Sequence, residues 1–128
     1  MATRVKLGVV SHFALAVRNP AESAKWWTAN FDLTATSRPN GRVLLDSDAI
    51  LIVLYQGEPN PNVLGHMAFQ VGDMASLQMA CEVLTKNGVA VEDPGDEIGP
   101  VAPGSRNMGL WFRDIDGYRW ELFVENDA

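Results

Sequence analysis

Ser11-His12-Phe13-Ala14-Leu15-Ala16-Val17 lies over Gly65-His66-Met67-Ala68-Phe69-Gln70-Val71 without a gap, at an offset of 54 residues (12 to 66). Both segments alternate in the two-residue period of a strand with one buried face. Both place histidine second, and the chain holds only these two histidines. A repeated strand opening of this kind predicts a chain built from two copies of one supersecondary unit.

A helix start follows each strand. Asn19 is placed to cap the first helix, with Pro20 in its first turn and Glu22 three residues after the cap. Asp73 is placed to cap the second, which runs through Leu77, Cys81 and Leu84 and stops at Asn87-Gly88. Three strands are predicted after the first helix, at 33–38, 42–46 and 49–56, and three after the second, at 89–93, 107–113 and 118–125. Asn40-Gly41 and Asp116-Gly117 sit where tight hairpin turns are expected. The reading is an α+β fold of two βαβββ modules, about 8–57 and 63–126, in a single domain 1–128. The Pro- and Asn-rich segment 57–62 joins them, and neither module is large enough to hold a good core alone.

The chain has 128 residues, 47% hydrophobic and 20% charged, which is ordinary for a globular protein and argues against disorder. Its net charge of −6, with no run of Lys and Arg, argues against nucleic acid and anionic membranes as partners. No stretch is long and apolar enough to cross a bilayer, and Arg4 and Lys6 are not followed by the apolar run of a signal peptide. A single cysteine, Cys81, precludes an intrachain disulfide; a reduced, cytoplasmic setting and a buried structural thiol are expected.

Side chains alternate across a strand. Phe13, Leu15 and Val17 form a bulky face expected to lie under a helix, and His12, Ala14 and Ala16 share the opposite, smaller face. The second module repeats this with Met67, Phe69 and Val71 against His66, Ala68 and Gln70. On the last strand, Trp120, Leu122 and Val124 form the apolar side, and Glu121 points away with Arg119 and Phe123. His12, His66 and Glu121 therefore share the face away from the helices, and two sheets curling toward each other would let them converge. A strand histidine is more often structural than a ligand, and a lone glutamate is commonly a surface carboxylate. Two histidines at equivalent repeat positions shift the balance toward a metal site. Two imidazoles and one carboxylate suit Fe, Mn, Zn, Ni or Co as the divalent ion. No cysteine cluster or H-E-x-x-H helix competes with that set.

The strand–helix openings at 12–27 and 65–84 resemble those of the glyoxalase/bleomycin-resistance/dioxygenase (vicinal oxygen chelate) superfamily. The closing segment Phe112-Arg113-Asp114-Ile115-Asp116-Gly117-Tyr118-Arg119-Trp120-Glu121-Leu122 is similar to that family's DPDG-x-x-x-E ending, with Ile115 in place of proline. The resemblance covers nearly the whole chain. It implies two mixed sheets around a U-shaped cleft, a homodimer, a small oxygen-rich substrate, and ligand positions at His12, Ile52, His66 and Glu121. The position of Ile52 assumes that 49–54 superposes on 118–123.

Departures from the family narrow the chemistry. Glyoxalase I-like enzymes carry a second glutamate where Ile52 is expected, and isoleucine neither binds metal nor moves a proton. Extradiol dioxygenases use a further histidine; Tyr55 and Tyr118 are the only phenols available, and a structural role is the ordinary expectation for each. Fosfomycin-resistance thiol transferases match in size, but only Ser105, Arg106 and Arg113 stand in for their phosphonate cluster. The expected function is that of a metal-dependent protein, an enzyme of dioxygenase, lyase or thiol-transferase type rather than glyoxalase I proper. The alternative is a non-catalytic, bleomycin-resistance-like binder, for which an intact two-His/one-Glu set is unnecessary. The Pro- and Gly-rich segment 93–106 is a candidate lid or surface loop. Of the adjacent Trp26 and Trp27, one is expected on the sheet and the other at a dimer contact or partly exposed.

Overall fold

The computed structural model describes residues 3–63, 65–92, 98–101 and 104–125. Strand β1 (His12–Val17) leads into helix α1 (Pro20–Asn30), then β2 (Thr34–Ser37), β3 (Val43–Asp46) and β4 (Leu51–Gln56). A 3-10 turn at Pro61–Val63 precedes β5 (Met67–Gln70), helix α2 (Met74–Lys86), β6 (Val91–Glu92), β7 (Gly99–Pro100), β8 (Met108–Arg113) and β9 (Arg119–Val124). Two mixed sheets result, ordered β1-β4-β3-β2 and β5-β9-β8-β6, with β7 also paired to β8. In each, the opening strand runs parallel to the closing one and the remaining pairs are antiparallel.

The local signals act as their chemistry requires. Asn19 Oδ1 accepts from the Glu22 amide at 3.1 Å, with Pro20 in the first turn of α1 where its missing N–H costs nothing. Asp73 Oδ1 accepts from the Ser76 amide at 2.8 Å and starts α2. That helix ends at Asn87, and Gly88 takes the left-handed φ of +77°. Gly41 (φ +85°) and Gly117 (φ +91°) make the two hairpin turns. The second module departs from the predicted pattern. Of the strand expected at 89–93, residues 89–90 lie outside β6 and residue 93 lies outside the described residues, and the small strand β7 is added beside β8. Of the candidate loop 93–106, residues 93–97 and 102–103 lie outside those described.

Both sheets contribute to one core. Leu15, Val17, Leu45, Ile52 and Leu54 from the first join Leu110, Phe112, Trp120 and Leu122 from the second, with Trp27 of α1 and Leu77 and Leu84 of α2. Aromatic rings tie the sheets together: Trp120 lies 5.8 Å from Phe13 and 5.1 Å from Trp27. Trp27 is buried, as expected of one of the pair. Trp26 is half-buried and packs on Phe112 and Phe31 of its own chain, in keeping with the partial exposure expected as the alternative to a dimer contact. Cys81 is half-buried against the core.

Candidate metal centre

Glu121 sits at the centre of β9 on the face away from the core. Its cross-strand neighbours are Ala68 on β5 and Trp111 on β8. It is 4% exposed, and its Oε2 is buried without a hydrogen-bond partner among the described residues. His66, immediately before β5, brings its Nε2 to 3.9 Å from Glu121 Oε1. That is beyond hydrogen-bond reach, while two donors at such a spacing are able to share a cation. Burial pushes the Glu121 carboxyl above the usual carboxylate range, and the neighbouring His66 and Arg119 pull it back in part. A buried carboxylate with one oxygen unpaired is costly unless something positive meets it.

Three further residues build this corner. Trp111 packs edge-on against the His66 ring at 4.6 Å, which restrains the imidazole plane. Arg119 stacks over Trp111 at 4.3 Å and donates to Glu92 Oε1 at 2.8 Å. Gly109 leaves the space the Glu121 carboxylate occupies, since a Cβ there would overlap Oε2. Of the three, the sequence placed only Arg119, on the same strand face as Glu121. The legible signal was Gly109 inside an otherwise bulky strand, which marks a close approach. Arg113, a candidate anion contact, bonds Glu92 and the Gly117 carbonyl instead.

The D-x-D-G turn holds β8 and β9 in place. Asp114 is buried and accepts from the Asp116 and Tyr118 amides and from Trp120 Nε1, at 2.9, 3.0 and 2.9 Å. Burial raises the Asp114 carboxyl, and these hydrogen bonds oppose the shift. Asp116 Oδ1 accepts from the Arg18 amide at 3.0 Å, so the turn is tied to the loop before α1. Tyr118 is structural: its hydroxyl donates to the Ala16 carbonyl at 2.7 Å and accepts from the Asn60 amide.

His12 lies elsewhere. It is exposed at the start of β1, its Nδ1 2.7 Å from Ser11 Oγ. Among the described residues no three His, Cys, Asp or Glu side chains gather in a way that could hold a metal. His66 and Glu121 come together within one chain, and His12 does not join them. The two sheets share a core through the faces bearing Phe13 and Trp120, so His12 and Glu121 both point away from that core.

The register also corrects the fourth position. Ala14 pairs with Val53, and Ala68, its repeat equivalent, pairs with Glu121. Val53, not Ile52, therefore corresponds to Glu121. Ile52 faces the core at 1% exposure, beside Phe13 and Leu45. The expectation of Ile52 in the cleft was wrong by one residue, which in a strand reverses the face. The residue at the matching place is still aliphatic and still unable to bind metal or carry a proton.

The model of the Glyoxalase/Bleomycin resistance protein/Dioxygenase superfamily matches residues 9–122. The chain belongs to this superfamily. A superfamily domain from Frankia sp. EAN1pec is 26% identical, with TM-score 0.74 over 94% of this chain and 100% of that one. An integron cassette protein from the mobile metagenome of V. Cholerae is 22% identical, with TM-score 0.71 over 95% and 98%. A lactoylglutathione lyase from Agrobacterium tumefaciens is 15% identical, with TM-score 0.72 over 92% and 94%. The last two likenesses show the fold alone. No curated protein matches the chain. Among the described residues, no helix of this superfamily member is long and apolar enough to cross a membrane.

Proposed function

We propose that this superfamily member is a metal-dependent enzyme whose site is completed between two copies of the chain. His66 and Glu121 of one copy supply two ligands, and His12 of the partner subunit supplies the third. The observation that carries this reading is Glu121, whose Oε2 is buried without a hydrogen-bond partner among the described residues and whose Oε1 lies 3.9 Å from His66 Nε2, a pair of donors that a third ligand would complete. Two nitrogens and one oxygen suit Fe, Mn, Zn, Ni or Co and leave open positions for substrate. When bound, such an ion supplies Lewis-acid polarisation of substrate oxygens or activation of water or O₂.

The chain's own residues orient and exclude. Trp111 holds the His66 ring, Gly109 admits the Glu121 carboxylate, and Val53 lines the matching place on the other module without a transferable proton. That absence disfavours the proton abstraction of glyoxalase I-like enzymes. It leaves dioxygenase, lyase or thiol-transferase chemistry on a small oxygen-rich molecule.

The test is metal analysis after loading with each candidate ion. Wild type should retain one ion per chain. Loss of an outer-shell partner typically weakens a metal site about 10–100-fold, so His66→Ala, which removes a direct ligand, should weaken it at least about a hundredfold. Gly109→Ala should weaken it while far-UV circular dichroism stays native, because the added methyl displaces the carboxylate. Equal retention by wild type and His66→Ala would sink the site and leave the binding-protein reading in its place.

Glu121 makes a second prediction, for the metal-free protein. Its carboxyl is raised in the folded state, so it favours folding below the unfolded glutamate value, near about pH 4.3, and that contribution is lost as pH rises through the folded value. Glu121→Gln should therefore be more stable than wild type in urea at pH 7 and close to it at pH 4. A Glu121→Gln variant that is less stable at pH 7 would show that the charge is compensated in the fold.

A further inference from the structure

Residues 3–11 carry no regular secondary structure, and every one is exposed. Val5, Leu7, Val9 and Val10 are 87%, 85%, 91% and 65% exposed, half of the large exposed hydrophobics among the described residues. Val5, Leu7 and Val9 continue the alternation of Phe13, Leu15 and Val17. A polar arm would need no cover; this one has the pattern of a strand with one apolar face. Its complement is also present. Strand β5 pairs with β9 on one side only, and its other edge is free among the described residues. Beside that edge lies a cavity of about 530 Å³, with Trp27, Ile52, Phe69, Val71 and Leu122 in its walls and Asp32 among the lining residues. Val10 borders this cavity in its own chain, yet Val5, Leu7 and Val9 stay outside it.

We propose that the N-terminal arm of one copy lies antiparallel along the β5 edge of a second copy and fills this cavity. Directly opposite residues of an antiparallel pair share a face. Setting Val10 opposite Ala68 on the face of His66 places Val9 against Phe69 and Leu7 against Val71, both pairs on the core side. The same register sets His12 opposite His66. Arg4 and Lys6 give the arm a positive charge, and Asp32 gives the cavity a negative one. Main-chain bonds to the free edge supply affinity and the alternating side chains supply register, as in other strand additions. The proposal takes its second copy from the reading above and needs no metal.

The experiment uses two full-length proteins with tags of different size, both carrying Cys81→Ala. One has Val10→Cys and the other Ala68→Cys. They are mixed in chelator and oxidised. Opposite residues in such a pair sit about 4.5–5.5 Å apart, within reach of a disulfide. A mixed-tag disulfide dimer is expected as the main product. Its absence, or cross-linking only when both cysteines are on one chain, would overturn the proposal. In a separate measurement, Leu7→Asp should raise the dimer dissociation constant at least about tenfold by sedimentation; an unchanged constant counts against the arm. Cross-linking without metal binding refutes the metal site alone, and metal binding without cross-linking refutes the arm alone.

Discussion

Co-expressing His12→Ala with His66→Ala should restore metal binding that neither variant shows alone. Each variant by itself forms dimers in which both sites lack one imidazole. In a mixed dimer the two lesions fall on the same site, and the other site has all three ligands. A twofold assembly with random pairing makes half of the dimers mixed, so the mixture should hold about one quarter of an ion per chain. Separately tagged copies, purified through both tags, should hold about one ion per dimer. If the site were formed within one chain, no combination of the two variants would recover it. The measurement is metal content of the doubly purified complex beside each variant alone. A wild-type protein that binds metal while the mixed dimer does not would show that His12 acts in its own chain, and metal binding by His12→Ala alone would show that His12 is not a ligand. His66 and Glu121 meet in a single chain, and among the described residues His12 does not join them.

Trp120→Ala is expected to cost a large share of the stability of the fold. Trp120 is fully buried where the two sheets meet, with Phe13, Trp27 and Phe69 around its ring. Large-to-small changes at such sites cost about 3–5 kcal/mol through lost contacts and the cavity left behind. The indole also donates to Asp114 Oδ2 at 2.9 Å, and its removal leaves that buried oxygen without its donor. Total stabilities of proteins this size run about 5–15 kcal/mol. The urea midpoint should therefore fall sharply, with melting lowered by more than roughly 10 °C. Trp120→Phe keeps an aromatic ring but loses the N–H and part of the indole's packing, so it should cost less, about 1–3 kcal/mol. A Trp120→Ala protein melting within a few degrees of wild type would show that the sheets are held together elsewhere.

Much of this architecture was legible in residues alone. The repeated strand openings, the Asn19 and Asp73 caps, the Asn40-Gly41 and Asp116-Gly117 turns and the two-residue alternation are local signals, and each is satisfied within a few residues of itself. The faces of β1, β5 and β9 followed from the same alternation. What only the tertiary structure decided was every relation between distant segments. The register of β4 against β1 depends on which pairing buries Ile52 and Leu54 beside Phe13 and Leu15, and no gapless offset carried that choice across the hairpins. A slip of one residue was enough to exchange Ile52 for Val53. The grouping of Gly109, Trp111 and Arg119 around Glu121 likewise needed the β8–β9 register. The separation of His12 from His66 and Glu121 came from the way both sheets bury their aromatic faces in one core, a matter of shape and packing between elements more than 50 residues apart. Alternation tells each strand which side is apolar; it does not tell two sheets how to share that side.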